Sequence, residues 1–78
     1  MELLLSRITV DANVCHGKPT IRGSRLMVAT ILELLSSGMT YSELITDYPN
    51  LEDEDIRACL AYATRLANFQ FVPYDKVA

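Results

Sequence analysis

Between residues 8 and 25 the chain reads I-T-V-D-A-N-V-C-H-G-K-P-T-I-R-G-S-R, a stretch holding two glycines, one proline and three cations. So short a run cannot bury a core of its own. Its glycines and proline nevertheless demand particular backbone angles, so its shape is specified. It is a surface element, and Lys18, Arg22 and Arg25 are what it presents. The rest of the chain has to supply the body on which such an element rests.

Within this arm, Arg7-Ile8-Thr9-Val10 alternates polar and apolar residues and runs into Asp11-Ala12-Asn13, which has turn chemistry; the spacing predicts a short strand. Thr20-Ile21-Arg22 and Arg25-Leu26-Met27 flank Gly23-Ser24, which predicts a type II′ hairpin with Gly23 at the first turn position. Strands this short are marginal unless they rest on helices or on a partner.

From Val28 the period becomes helical: Val28, Ile31, Leu32 and Leu35 recur at i, i+3, i+4 and i+7, and Gly38 stands where a helix terminates. A first helix over Val28 to Ser37 follows. Thr40-Tyr41-Ser42-Glu43 matches a capping box, with Met39 and Leu44 spaced as a hydrophobic staple, so a second helix starts at Tyr41. Its apolar face is Tyr41, Leu44, Ile45 and Tyr48, and Pro49 stops it at Tyr48. Leu51 and Ile56 form a second staple, making Glu52 the N-cap of a third helix from Asp53 to about Leu66 or Ala67. Asp53, Glu54 and Asp55 in its first turn suit the helix dipole, and Ile56, Cys59, Leu60 and Ala63 are its expected buried stripe. Beyond it, Asn68-Phe69-Gln70-Phe71-Val72-Pro73-Tyr74 alternates aromatic and polar residues, which predicts a strand-like or extended tail. The fold class is mainly α: one domain over 1–78, with a β arm (7–27), a three-helix helix-turn-helix body (28–67) and an extended C-terminal tail (68–78).

At 78 residues the chain buries only about 60% of the surface its unfolded form exposes. Half of its residues are hydrophobic, more than three short helices can cover, so self-association to at least a dimer, or a hetero-complex, is expected. The net charge of −3 argues against a general nucleic-acid binder, but residues 1–27 carry +2 and residues 28–78 carry −5. Either the two segments pair with each other, within a chain or across a dimer, or the basic arm faces a ligand. Cys15 and Cys59 form no disulfide framework, and the opening Met1-Glu2-Leu3-Leu4-Leu5 has an acid where a signal peptide needs a base. No run approaches the roughly 20 apolar residues of a membrane span, and the compartment expected is the cytoplasm.

No catalytic set can be assembled. Gly17-Lys18-Pro19-Thr20 lacks the upstream glycine of a phosphate loop and has a proline where the helix must begin. Cys15-His16, neighbours on what reads as extended chain, point to opposite faces, and no other residues have ligand spacing, so neither metal nor cofactor is expected. The second and third helices have helix-turn-helix dimensions, yet the end that would enter a major groove carries Glu52, Asp53 and Glu54, which repel phosphate. Arg57 is expected to pair with Asp53 on the helix surface. Any nucleic-acid affinity then falls to Lys18, Arg22 and Arg25.

The arm, followed by V-A-T-I-L-E-L-L-S-S-G-M-T and D-Y-P-N-L, resembles the bacterial family called domain of unknown function 433, over about residues 7 to 67. The pattern falls on Asp11, Gly17, Lys18, Pro19, Ile21, Arg22, Gly23 and Arg25. The chain departs from it at Ala12, where proline is common, at Leu26-Met27, where an isoleucine-proline pair is usual, and at Glu52, where a threonine often caps the helix. The resemblance implies a VapB-type antitoxin with a homeodomain-like body, encoded beside a PIN-like ribonuclease toxin and able to bind operator DNA. On that reading Phe69, Phe71, Val72 and Tyr74 dock on the toxin, adding a strand to a sheet edge; the competing reading folds the tail onto its own helices or swaps it within a homodimer. A stand-alone dimeric DNA-binding regulator using the basic arm is the alternative function.

Overall fold

The computed structural model describes residues 2–69. They form seven elements in the order α1 (Glu2–Leu5), β1 (Ile8–Thr9), a 3-10 turn (Cys15–Gly17), β2 (Thr20–Ile21), α2 (Val28–Ser36), α3 (Tyr41–Asp47) and α4 (Asp53–Phe69). The chain is mainly helical, with one small antiparallel sheet in which Ile8 faces Ile21 and Thr9 faces Thr20.

Local chemistry explains the helix boundaries. The Gly38 N–H bonds the Leu35 carbonyl at 3.0 Å and the Met39 N–H bonds the Leu34 carbonyl at 3.2 Å. That pair of bonds requires a left-handed residue just past the helix, and Gly38 supplies it at φ +105°. At α3 the expected capping box is present: Thr40 N–H donates to Glu43 Oε1 at 2.8 Å and Glu43 N–H donates to Thr40 Oγ1 at 3.1 Å. The start of α2 has no side-chain cap. Instead its first N–H, on Val28, donates to the Pro19 carbonyl of the arm at 3.0 Å. The arm thus supplies a partner that the helix end lacks.

The core lies between the sheet and the three longer helices. Ile31, Leu44, Ile56 and Cys59 are fully buried, and Ile21, Val28 and Leu51 close around them. Helix α4 is the element that touches the most others, packing against α1, α2, α3 and β1.

Several expectations are corrected. The chain reversal is a β-turn over Ile21–Ser24, closed by Ser24 N–H to the Ile21 carbonyl at 3.0 Å. Gly23 is third in that turn, at φ +77°, so the turn is type II and not II′. The loop is also longer, because the next bond joins Ile21 N–H to the Leu26 carbonyl at 2.9 Å. Cys15 and His16 are not extended: their φ values are +51° and +58°, and Gly17 follows at +83°, forming one left-handed turn. Two consecutive non-glycine residues in that region cost on the order of 1–2 kcal/mol each. The buried face of α4 is rotated from the expected stripe, since Ala58 and Ala61 are buried while Leu60 is exposed. The unanticipated α1 packs against α4 and adds a neighbour that the expected stripe did not include. Helix α4 also continues through Phe69, so Phe69 is helical and not part of an extended segment. Asn-Phe in this context keeps the helical bond pattern in spite of the polar-aromatic alternation. The expected positions Phe71, Val72 and Tyr74 lie outside the described residues.

Candidate interaction site

The chain offers a bolted junction at the start of α4, a cationic turn beside it, and an exposed helix end far from both. At the junction, Asp55 occupies the third position of α4 and its Oδ2 accepts the Glu52 N–H at 2.9 Å. This is half of a capping box. Glu52, the expected N-cap, does not cap with its own side chain. It accepts from Arg7 Nη1 at 2.8 Å, and the same nitrogen donates to Asp55 Oδ1 at 2.9 Å. The Asp55 side chain is only 8% exposed, so the pair is shielded at its inner end. The Glu52 and then the Asp55 hydrogen bonds raise the Arg7 guanidinium further above its ordinary range. These are the ion pairs formed among the described residues, and the expected Asp53–Arg57 pair is not one of them.

One helical turn further, Cys59 is fully buried. Burial, and after it the Asp55 charge, pushes its thiol up to about 12. It is a packing residue and not a nucleophile. Cys15 is half-buried in the left-handed turn and its Sγ donates to the Arg25 carbonyl at 3.5 Å, tying the two turns of the arm together. No group of three or more metal-ligating side chains occurs among the described residues.

The three cations of the arm are all exposed, but they do not converge. Arg22 and Arg25 line two adjoining grooves, and Lys18 lines neither. Arg22 donates to the Ser6 carbonyl at 3.2 Å. The larger groove, about 730 Å³, lies between the Ile21–Leu26 turn and the α3–α4 connection, and Asp47 and Glu52 stand on its other side. The cations therefore face carboxylates across a gap, a juxtaposition that the charge difference along the sequence did not reveal. Asp47 was missed by sequence reasoning. Its signal was a carboxylate on the last residue of a helix, the end where the dipole disfavours negative charge.

At the opposite end of α4, every residue from Thr64 to Phe69 is exposed. Phe69 keeps 85% of its surface in solvent and Leu66 keeps 48%. No helix among the described residues is long and apolar enough to cross a membrane.

Comparison with known proteins agrees with this architecture. A family model described as "Protein of unknown function (DUF433)" matches residues 8–63. The span runs from β1 to the point where α4 leaves the body. No curated protein matches the chain. Among solved structures, the crystal structure of a DUF433 member protein from Anabaena variabilis ATCC 29413 is similar, with 29% sequence identity and a TM-score of 0.76. The match covers 87% of this chain and 67% of that one.

Proposed function

The chain belongs to the DUF433 family of proteins of unknown function, and from that premise we propose that it is an antitoxin-like module that binds and neutralises a PIN-like ribonuclease. In this reading α2, α3 and α4 form a homeodomain-like helix-turn-helix body, the chain self-associates to at least a dimer, and it acts in the cytoplasm as a binder without enzymatic activity of its own. The observation that carries the reading is the exposed end of α4. Leu66 and Phe69 present apolar surface that contributes nothing to the body's own core, and the sequence continues from there into Phe71, Val72 and Tyr74. Apolar side chains held in water at the end of a helix gain free energy only when something covers them. The test is to titrate the purified chain into a PIN-like ribonuclease encoded beside it and follow RNA cleavage. Cleavage should stop near stoichiometric addition, and the double variant Leu66→Ala/Phe69→Ala should need at least tenfold more protein. Undiminished cleavage with the chain in excess overturns the proposal.

A second reading rests on a different observation: Lys18, Arg22 and Arg25 are exposed, and none is ion-paired among the described residues. Operator DNA bound by a dimer would use these cations, since the start of α4 exposes Asp53 and Glu54. Replacing Arg22 and Arg25 with alanine should then flatten the salt dependence of DNA binding by about two units of log slope. Binding abolished by Arg57→Ala, with the arm variants unaffected, assigns DNA recognition to α4 instead.

A further inference from the structure

We propose that the groove between the Ile21–Leu26 turn and the α3–α4 connection is a docking site for an extended peptide segment that carries an acidic and a basic residue at adjacent positions. Its floor is apolar and belongs to the core, with Ile21 and Leu51 almost fully buried. One side bears the guanidinium groups of Arg22 and Arg25, the other bears Asp47. None of these three charges forms an ion pair among the described residues, although opposite charges line the same groove. While Arg7 pairs with Glu52 and Asp55 in the same groove, Arg22 and Arg25 therefore stand too far from Asp47 to pair with it. A segment inserted between them satisfies both.

Arg22 uses one guanidinium nitrogen on the Ser6 carbonyl at 3.2 Å, but no fold contact accounts for the side-chain charges of Arg25 and Asp47. Asp47 is the last residue of α3, where the helix dipole opposes a carboxylate. Arg25 sits in a turn and uses only its backbone carbonyl for the body, accepting from Cys15. Arg7, by contrast, shows what a structural arginine in this groove does: it engages Glu52 and Asp55 directly and cancels much of their charge. What remains is cationic on the turn side and anionic on the other, at Asp47 and through the one net negative charge that Arg7 leaves on Glu52 and Asp55. An extended peptide directs successive side chains to opposite sides, so an adjacent acid and base address the two walls at once. This site is separate from the end of α4 and does not depend on the function assigned there.

The experiment measures binding of the full chain, by fluorescence anisotropy, to labelled nine-residue peptides capped at both ends. At adjacent central positions, among glycines and one leucine, the peptides carry acid and base, acid only, base only, or neither; inorganic phosphate and a short DNA duplex serve as competitors. The acid–base peptide should bind at least tenfold more tightly than either single-charge peptide. Arg22→Ala/Arg25→Ala should erase the advantage of the acid, and Asp47→Asn should erase that of the base. For DNA or a simple anion, Asp47→Asn should strengthen binding, since it removes a repelling charge. Tighter anion binding in Asp47→Asn without a peptide preference, or equal or undetectable binding of all four peptides, overturns the proposal. Circular dichroism of each variant checks that the fold is intact; because all three residues are exposed, it should be.

Discussion

The two ends of α4 are built from the same helical ladder and are held in opposite ways. At its start, the chain brings Arg7 from the arm, caps Glu52 with Asp55, and packs Ile56 and Cys59 against α2 and α3. At its finish, six residues from Thr64 to Phe69 meet nothing among the described residues that buries them. The first end shows what it takes to fix a helix in a domain this small: charge, cap and core at one place. The second shows that the backbone pattern persists for more than a turn after the packing stops. Isolated helical segments of that length are marginal in water, so this end rests on continuity with the packed part of α4.

The largest expected effect tests the fixed end. Replacing Asp55 with alanine removes both the acceptor that caps Glu52 and the inner partner of Arg7. The loss should be about 2–4 kcal/mol, summing a helix cap and a charge-assisted hydrogen bond. For a domain of this size that lowers the melting temperature by about 10 °C or more. Arg7→Ala should destabilise less, because the cap from Asp55 to Glu52 survives it. The double variant should fall short of the sum, since both changes break the same bond. If the melt of Asp55→Ala matches that of the parent, the junction is not what holds the arm to α4.

How much of this was legible in advance follows the range of each interaction. Gly38 and the Thr40–Glu43 box were readable because their chemistry acts over three or four residues, and the structure places both as expected. The Arg7 bonds to Glu52 and Asp55 span 45 and 48 residues, and no local pattern announces a partner at that distance. Glu52 therefore looked like a weakened cap, when its side chain has another use. Leu60 was expected inside because it fits the stripe of Ile56 and Ala63, but the face of α4 is set by its neighbours, and α1 was not anticipated from four residues of sequence. The left-handed Cys15-His16 turn was unreadable for a different reason: only glycine advertises positive φ, and here two other residues adopt it.

A second prediction places the same contrast on the pH axis. Cys59 lies in the fixed half of α4, and its thiol remains protonated in the folded chain up to about 12, against an ordinary value of 9.0. Below about pH 9 both folded and unfolded chains keep this proton, so its contribution to stability is constant. Between about 9 and 12 the unfolded chain releases the proton and the folded one retains it, so stability falls as pH rises, by up to about 1.4 kcal/mol per pH unit. Cys59→Ala removes this component. Urea unfolding at several pH values should show the parent losing stability faster than the variant across that window. Parallel curves would mean that the thiol ionises without opening the core. A thiol reagent at neutral pH sharpens the point, modifying Cys15 in the folded chain and Cys59 only after unfolding.

The smallest expected effect belongs to the free end. Phe69 is 85% exposed, so replacing it with alanine gives up little burial, and alanine is the better helix former of the two. The change in unfolding free energy should stay within about 0.5 kcal/mol, the range of surface substitutions that break no cap and open no cavity. The contrast with Asp55→Ala, on the same helix, is the point of the measurement. A large fall in melting temperature for Phe69→Ala would show that this ring is covered in solution, by residues beyond the described ones or by a second copy, and the two ends of α4 would no longer differ in kind. Dilution then separates these cases, because a melt that depends on protein concentration identifies the second copy. An unchanged melt together with weakened ribonuclease inhibition leaves Phe69 doing its work outside the fold, as an apolar side chain whose burial occurs only on the partner.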